Sequence, residues 1–385
     1  MPMSMIYHHR TRGEGVEGTH IRGITDSFAR RGWRVQIVSP PGISVEESTK
    51  PEKGPPRRST LWRVVSDHSP QLLFELLELS YNLYSIARLP RIVRANGARL
   101  IYERYALFNW AATWIARRKG IPIVLEINDA TVIVRSRPLF LKRLAEATEK
   151  WTFQNATHLV TVSETFRNQI CERHGLPSER IRVMPNAVDP IRFATAANLP
   201  KDEPRPSIVL GMVAAFVRWH GVEFLIRSIS PFLSTGHLKL LLVGDGPERS
   251  TLETWIDRLN VRHCVELTGA VPASDIPKFV NRMDVCVMAN SNEHGSPMKI
   301  FEYMAAGKPV LAPAYGPIRE IITHKVDGWL FEPLQSSSLR EGLEALVTNP
   351  DLRRRMGAAA QQTVLSKHTW DHRVNEVEAW VASTT

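Results

Sequence analysis

Two successive runs of short apolar segments, alternating with amphipathic helical patterns, constrain this chain more than any other feature. In the first run, strands are expected near 34–39, 99–102, 121–127, 157–162 and 181–184, after an opening apolar stretch at Met5, Ile6 and Tyr7. In the second they fall near 207–213, 238–243, 264–268, 284–289, 309–312 and 328–331. Apolar strands with helices between them predict parallel sheets covered on both faces. A chain of 385 residues is long enough for about two such domains. The polar, proline-rich stretch 199–206 (LPKDEPRP) reads as the linker between them. Two α/β layers joined by a hinge make the cleft between them the default ligand site.

Residues 13–18 read GEGVEG, a G-x-G-x-x-G spacing, and the helical pattern after it places Ile21, Ile24, Phe28 and Ala29 on one face. Such a loop presents backbone N–H groups at a helix start, where an anion is favoured. A dinucleotide site also needs an acidic side chain about 20 residues on, to hold the ribose. Here the strand Val35–Val38 runs into Ser39, Pro40 and Pro41, with no carboxylate. That argues against a nicotinamide oxidoreductase and leaves an anion-facing loop of another kind.

The three cysteines, Cys171, Cys264 and Cys286, are far apart, which argues against a disulfide framework or a zinc site. Tyr7-His8-His9-Arg10 interrupts the N-terminus before a signal core could form, and the longest uncharged apolar-rich stretch, Tyr105–Ala116, is too short to span a bilayer. A soluble, cytoplasmic protein is expected. The net charge of +10 is unevenly placed: residues 1–195 hold 29 Lys and Arg against 18 Asp and Glu, the remainder 20 against 21. The modules of nucleic-acid recognition are absent. An anionic membrane, a phosphate-bearing substrate or a merely solvated basic face each accounts for the imbalance. Residues 40–59 read as an exposed loop, with Lys50, Lys53, Arg57 and Arg58 near its end. The helical pattern over 70–94, with Leu72, Leu73, Leu76, Leu77, Leu83 and Tyr84 on one side, is expected to pack in the core, a membrane-facing role being the lesser reading.

In the second run, turn signals stand at the carboxyl ends of strands, where open α/β sheets bind ligands: Gly244-Asp245-Gly246-Pro247 and Gly269-Ala270-Val271. The densest cluster is SNEHGSPMKIFEYMAAGKPV, residues 291–310. Gly295-Ser296-Pro297 reads as a tight turn, Met298–Ala306 as a helix capped by Gly307 and stopped by Pro309. An anion would sit on the N–H groups of Met298 and Lys299, with the Lys299 ammonium beside it. Glu302, three residues on, shares that face and can accept two hydroxyl hydrogen bonds, as a ribose offers. Residue by residue, the alternative is an exposed helix with a Lys–Glu pair.

This stretch resembles the nucleotide-sugar signature of family 4 retaining glycosyltransferases of the GT-B fold, in the branch with an S-P-x-K-x-F-E-Y-M-A-x-G-K-P-V pattern. GEGVEG with Ala29-Arg30-Arg31-Gly32-Trp33 resembles the family's first glycine loop and helix. Met184-Pro185-Asn186-Ala187-Val188-Asp189 resembles its P-N-G-V-D segment, Trp219-His220-Gly221-Val222 its K-G-V turn, and Thr369-Trp370-Asp371 the start of its last helix. The resemblance implies two Rossmann-like doubly wound domains facing a central cleft. An acceptor-side domain would cover 1–198, joined by the C-terminal helix 368–385, and a nucleotide-sugar domain 207–367.

It further implies transfer of a sugar from a UDP- or GDP-linked donor to a glycan or lipid-linked acceptor, in cell-surface glycan or glycolipid synthesis. No metal or other cofactor would be needed; no two aspartates are separated by one residue. Glu302 would hold the donor ribose. Where the family's E-x7-E motif has its first glutamate, this chain has His294, beside Glu293. The family's Arg and Lys diphosphate clamp falls on Ala215 and His220, so Lys299 would replace the missing cation, His220 would donate as well, and Arg218 would be the fallback. Gly15, Gly18, Gly244, Val271, His294, Gly295, Ser296, Pro297 and Met298 would complete the donor site. The end of the fourth strand offers Asn128 and Asp129 as candidate catalytic groups with Lys299 and His220. A nucleotide-sugar epimerase, or a non-catalytic GT-B partner protein, would fit the same fold.

Overall fold

A computed structural model describes residues 3–13, 15–43, 45, 70–133, 139–197 and 207–384. The expected linker 199–206 and the basic residues Lys50, Lys53, Arg57 and Arg58 lie outside these. The chain forms two compact units, Met1–Pro185 with Trp370–Thr385, and Asn186–Thr369.

The first unit contains β1 (Ser4–His9), α1 (Gly15–Arg30), β2 (Arg34–Val38), α2 (Gln71–Asn96), β3 (Leu100–Tyr105), α3 (Ala111–Lys119) and β4 (Ile123–Ile127). It continues with α4 (Lys142–Asn155), β5 (His158–Thr161), α5 (Glu164–His174) and β6 (Ile181–Val183). All its strands pair in parallel in the order β2-β1-β3-β4-β5-β6. The sheet is covered on both faces: β1 and β4 are buried throughout, β3 everywhere but Arg104, and the polar residues among them, His8, His9, Glu103 and Glu126, are buried with the rest. Local signals set the helix ends. Ser163 caps α5 by accepting from the Phe166 N–H at 3.2 Å, and Gly97, Gly120 and Gly175 end helices in the left-handed conformation.

The α2 stripe corrects the sequence reading. Leu72, Leu73, Leu76 and Leu83 are 45–70% exposed, while Glu75, Tyr81, Asn82, Ser85, Leu89 and Val93 face inward. The reason is hydrogen bonding at neighbouring helix starts. Glu75 accepts from the N–H groups of Phe140 and Leu141 at 2.9 and 2.7 Å, and Asn82 accepts from Trp110 and Ala111, both at 3.0 Å. Orphan N–H groups at the starts of α4 and α3 draw the polar face of α2 inward.

The second unit begins with α6 (Pro190–Ala197) and continues through β7 (Ile208–Val213), α7 (Val222–Leu233), β8 (Leu238–Val243), α8 (Arg249–Arg258) and β9 (Val265–Leu267). Then come α9 (Ile276–Asn281), β10 (Val285–Val287), α10 (Met298–Ala305), β11 (Val310–Pro313), α11 (Gly316–Arg319), β12 (Trp329–Phe331), α12 (Ser336–Thr348) and α13 (Pro350–Lys367). Its parallel order, β12-β11-β10-β7-β8-β9, is doubly wound with its switch point between β7 and β10. The expected boundary at 198 moves to 185, because α6 packs on α9 and α10 and buries Phe193 among Ile300, Tyr303 and Met304. The last helix, α14 (Trp370–Thr384), belongs to the first unit and packs on α1.

Candidate functional site

Two loops and a helix meet at the β7/β10 switch point of the second unit. The first leaves β7 and carries Ala215 to Gly221. The Phe216 N–H donates to the Asp245 carbonyl at 2.8 Å, and a Cβ on Gly244 would collide with the Ala214 carbonyl. Gly244 is therefore required by backbone packing, and its part is to brace the loop that holds His220. The second loop leaves β10. Asn290 donates to the Trp219 carbonyl at 3.0 Å and accepts from the Tyr315 hydroxyl at 2.9 Å. Asn292 accepts from the N–H groups of His294 and Gly295 at 3.2 and 2.5 Å, closing a bend just before the Gly295-Ser296-Pro297 turn expected from sequence. The third element is α10 itself.

Nearly all of α10 is buried, from Met298 through Ala305, with Lys299 the exception. Pro297 precedes it and no side chain caps its start. The Lys299 ammonium stands 3.5 Å from the Glu302 carboxylate, with side-chain exposures of 28% and 9%. The exposed Lys–Glu pair is thus ruled out: Glu302 is a buried carboxylate with one cation on it. Its remaining lone pairs can accept hydroxyl hydrogen bonds, and a buried carboxylate is stable only where such partners exist. Ser296 takes another part. Its hydroxyl accepts from the Asn186 N–H at 2.9 Å and its carbonyl from the Asn186 amide at 2.5 Å. Ser296 is buried, and it ties Asn186 to the start of α10.

His220 changes character in the structure. Its Nδ1 lies 2.6 Å from the Ala215 carbonyl, which can only accept, so Nδ1 carries the proton. Burial, with the Lys299 charge nearby, lowers its pKa despite that bond. With the pKa lowered, the neutral ring presents Nε2 as an acceptor. Arg218 lines a cavity of about 550 Å³ with Gly221 and Asn290 of these two loops and with Glu223, Ser336 and Arg340. Val271, beyond β9, is half-buried against the apolar cluster of Met288 and Ile300.

In the first unit, the glycine loop is compact. A Cβ on Gly18 would meet the Gly13 carbonyl, so the third glycine lets the loop fold over the first turn of α1, which Gly15 begins. Glu14 lies outside the described residues. Asn128 and Asp129 follow β4, and the Asn128 amide donates to Glu126 at 2.9 Å. Sequence reasoning missed Glu126. It is fully buried, 2.7 Å from His20 Nε2 and 3.5 Å from Arg373, and accepts from the Tyr102 hydroxyl at 2.6 Å. Burial alone would raise its pKa, but His20, Arg373 and Arg104 hold it well below the usual carboxylate range. Burial pushes His20 down to about 4 against the pull of Glu126. One signal was available: a glutamate inside the apolar strand IVLEI is tolerated only when paired.

Two parallel six-stranded α/β units, each with its polar groups at the carboxyl ends of strands, define the GT-B class of proteins. Comparison with known proteins agrees. The model for glycosyltransferase family 4 matches residues 15–192, and that for glycosyl transferases group 1 matches residues 197–363. The chain belongs to the GT-B glycosyltransferase superfamily and is a glycosyltransferase. An uncharacterized glycosyltransferase of Methanocaldococcus jannaschii is 27% identical over 242 residues, covering 60% of this chain and 61% of the relative. The alpha-D-kanosaminyltransferase of Streptomyces kanamyceticus is 23% identical over 269 residues, 66% of this chain and 69% of that one. The chain thus spans about two thirds of these relatives. Among solved structures, Anabaena HepE in complex with UDP aligns with a TM-score of 0.72 at 17% identity, over 98% of this chain and 100% of that one.

Proposed function

We propose that this protein transfers a sugar from a nucleotide-diphosphate sugar to an acceptor hydroxyl, with retention of anomeric configuration. The Lys299–Glu302 pair carries the reading. A buried carboxylate suits a ribose diol, and the ammonium beside an uncapped helix start suits a diphosphate. The chemistry of HepE, solved with UDP and with UDP-glucose, supports a uridine donor. In the reaction the acceptor oxygen bonds to the anomeric carbon while the bond from that carbon to the phosphate oxygen breaks. The acceptor proton passes to the departing phosphate. Lys299 and the α10 dipole stabilise the charge that develops there, so positioning and electrostatics supply the rate. No metal is assigned a part. His220, neutral in the free protein, gains a proton when the diphosphate arrives beside its Nε2.

Isothermal titration with UDP tests the site. Lys299→Ala and Glu302→Gln should each cost about 1.5–3 kcal/mol of affinity, as expected for a charged hydrogen bond. Below neutral pH, UDP binding should take up a proton, and His220→Asn should abolish that uptake. Full affinity in both Lys299→Ala and Glu302→Gln would remove the donor assignment. An epimerised nucleotide sugar formed without any acceptor would replace transfer by epimerisation.

A further inference from the structure

We infer that the outer surface of the α2–α3–α4 layer is a docking face for an anionic lipid bilayer, an inference that stands apart from the donor-site reading. These helices lie side by side on one face of the first unit's sheet. Each carries three Lys or Arg residues and all nine are exposed, including the run Arg117-Arg118-Lys119 that ends α3. None of their four acidic residues is exposed. Glu75 and Glu149 are buried on backbone N–H groups, Glu78 is held by Arg10, and the half-buried Glu146 by Arg173 and by Lys142, one of the nine cations. The layer therefore turns its negative charge inward and its positive charge outward.

The same surface is apolar where it should be wetted. Of the fourteen large apolar side chains exposed among the described residues, seven stand on α2 or at α4, Leu73, Leu76, Leu83, Phe140 and Trp151 among them. Trp151 lies edge-on to Trp110, 6.4 Å between ring centres, and Trp110 neighbours Trp114 at 6.5 Å. Glu75 joins the two apolar groups by bonding the start of α4 to α2. A nucleic acid would use the cations and leave the leucines, phenylalanine and tryptophans in water. An anionic bilayer uses both, with phosphates on the cations and apolar and indole side chains at the acyl boundary. No helix among the described residues is long and apolar enough to cross a membrane, so the contact is peripheral.

The topology also orients the surface. Helices between parallel strands run back against them, so the first turns of α2 and α4, with Leu73, Leu76 and Phe140, lie at the strand edge that carries Asn128 and Asp129. A lipid-linked acceptor would reach that edge from the membrane plane.

Co-sedimentation of the full chain with phosphatidylcholine vesicles, with and without phosphatidylserine, at low and high salt, tests the inference. Binding should require phosphatidylserine and fall at least tenfold at high salt. The triple variant Arg117→Glu, Arg118→Glu, Lys119→Glu and the triple variant Leu73→Gln, Leu76→Gln, Leu83→Gln should each lose most vesicle binding. Both should keep UDP binding, which separates loss of this face from loss of the fold or the donor site. Absent binding, binding indifferent to lipid charge, or binding untouched by either variant overturns the inference. Tighter retention on RNA or duplex DNA would reassign the face to nucleic acid. Protection of Leu73 and Leu76 from covalent footprinting without vesicles would also overturn it, because the chain itself would then cover them.

Discussion

Glu126 sits fully buried in the first unit with His20, Arg373 and Tyr102 around it, whereas the interior of the second unit is filled by residues such as Leu225, Ile229, Leu240 and Phe331. Both sheets are parallel and six-stranded among the described residues. Yet the first unit buries Glu75, Glu103, Glu126, Glu149 and Arg373, with histidines at 8, 9, 20 and 174, while among the described charged residues of the second only Glu302 and Asp327 are buried. Three of those pairs repeat one arrangement, a histidine on a glutamate: His8 with Glu103, His20 with Glu126 and His174 with Glu149, at 2.7–2.8 Å. Buried ion pairs contribute little net stability compared with apolar packing, but losing one partner strands the other. The difference teaches that the first unit gains definite positions, not strength, from its polar interior. Glu126 orients Asn128, and Arg373 fixes the C-terminal helix, which also holds Ser27 and Arg30 through Asp371. In the second unit apolar packing fills the interior; its buried Glu302 stands at the candidate site, and Asp327 accepts locally from the Thr323 N–H and the Thr363 hydroxyl.

That contrast can be broken hardest at Arg373. Arg373→Met leaves Glu126 with less positive charge in a fully buried place and should cost the first unit ~3–5 kcal/mol. Calorimetry should resolve two transitions, the first unit melting early and the second unmoved. A single transition shifted as a whole would mean that the two units share their stability.

Acid should separate the units next. His9 and His20 are driven down by burial to about 3 and about 4. Between those values and the unfolded value of about 6.5, the unfolded chain binds more protons than the folded one, so stability falls as pH falls through that window. From His20 alone the first unit should lose on the order of 2 kcal/mol between pH 7 and pH 5. The stabilisation carried by the depressed Glu126 is lost only at lower pH. Hydrogen exchange at the two pH values should show faster opening in β1, β3 and β4 and little change in β7 and β8; equal changes in both units would contradict the assignment.

The smallest expected effect sharpens the comparison at one seam. A Cβ on Gly23 would run into the buried Trp370 ring. Gly23→Ala should therefore overpack the α1–α14 contact and cost ~1–3 kcal/mol, lowering the urea midpoint of the first unit. A neutral result would show that α14 can shift on α1 without loss.

Much of this was legible along the chain. Strand positions in both units followed from apolar runs, because a strand buried on both faces has nowhere to place polar side chains except in pairs. The start of α10 followed from Gly295-Ser296-Pro297, since those residues restrict their own backbone. Less legible was anything that depended on partners. Ser296 matches a donor motif, but its polar atoms are committed to Asn186. Arg218 sits two residues from His220 and lines a cavity with Glu223 and Arg340.

The sequence by itself determined the doubly wound layers, the pairing of Lys299 with Glu302 on one helical face, and the placement of excess positive charge in the first half. Those rest on local periodicity and composition, which act over a few residues. Only the tertiary structure decided that Glu302 is buried and that His220 carries its proton on Nδ1. It alone turned Glu75 and Asn82 inward and left Leu73, Leu76 and Leu83 outside. Burial and protonation depend on neighbours far away in sequence. The 3.6-residue period shows which residues share a face of α2, but that face turns inward only because two other helices begin beside it with N–H groups in need of acceptors.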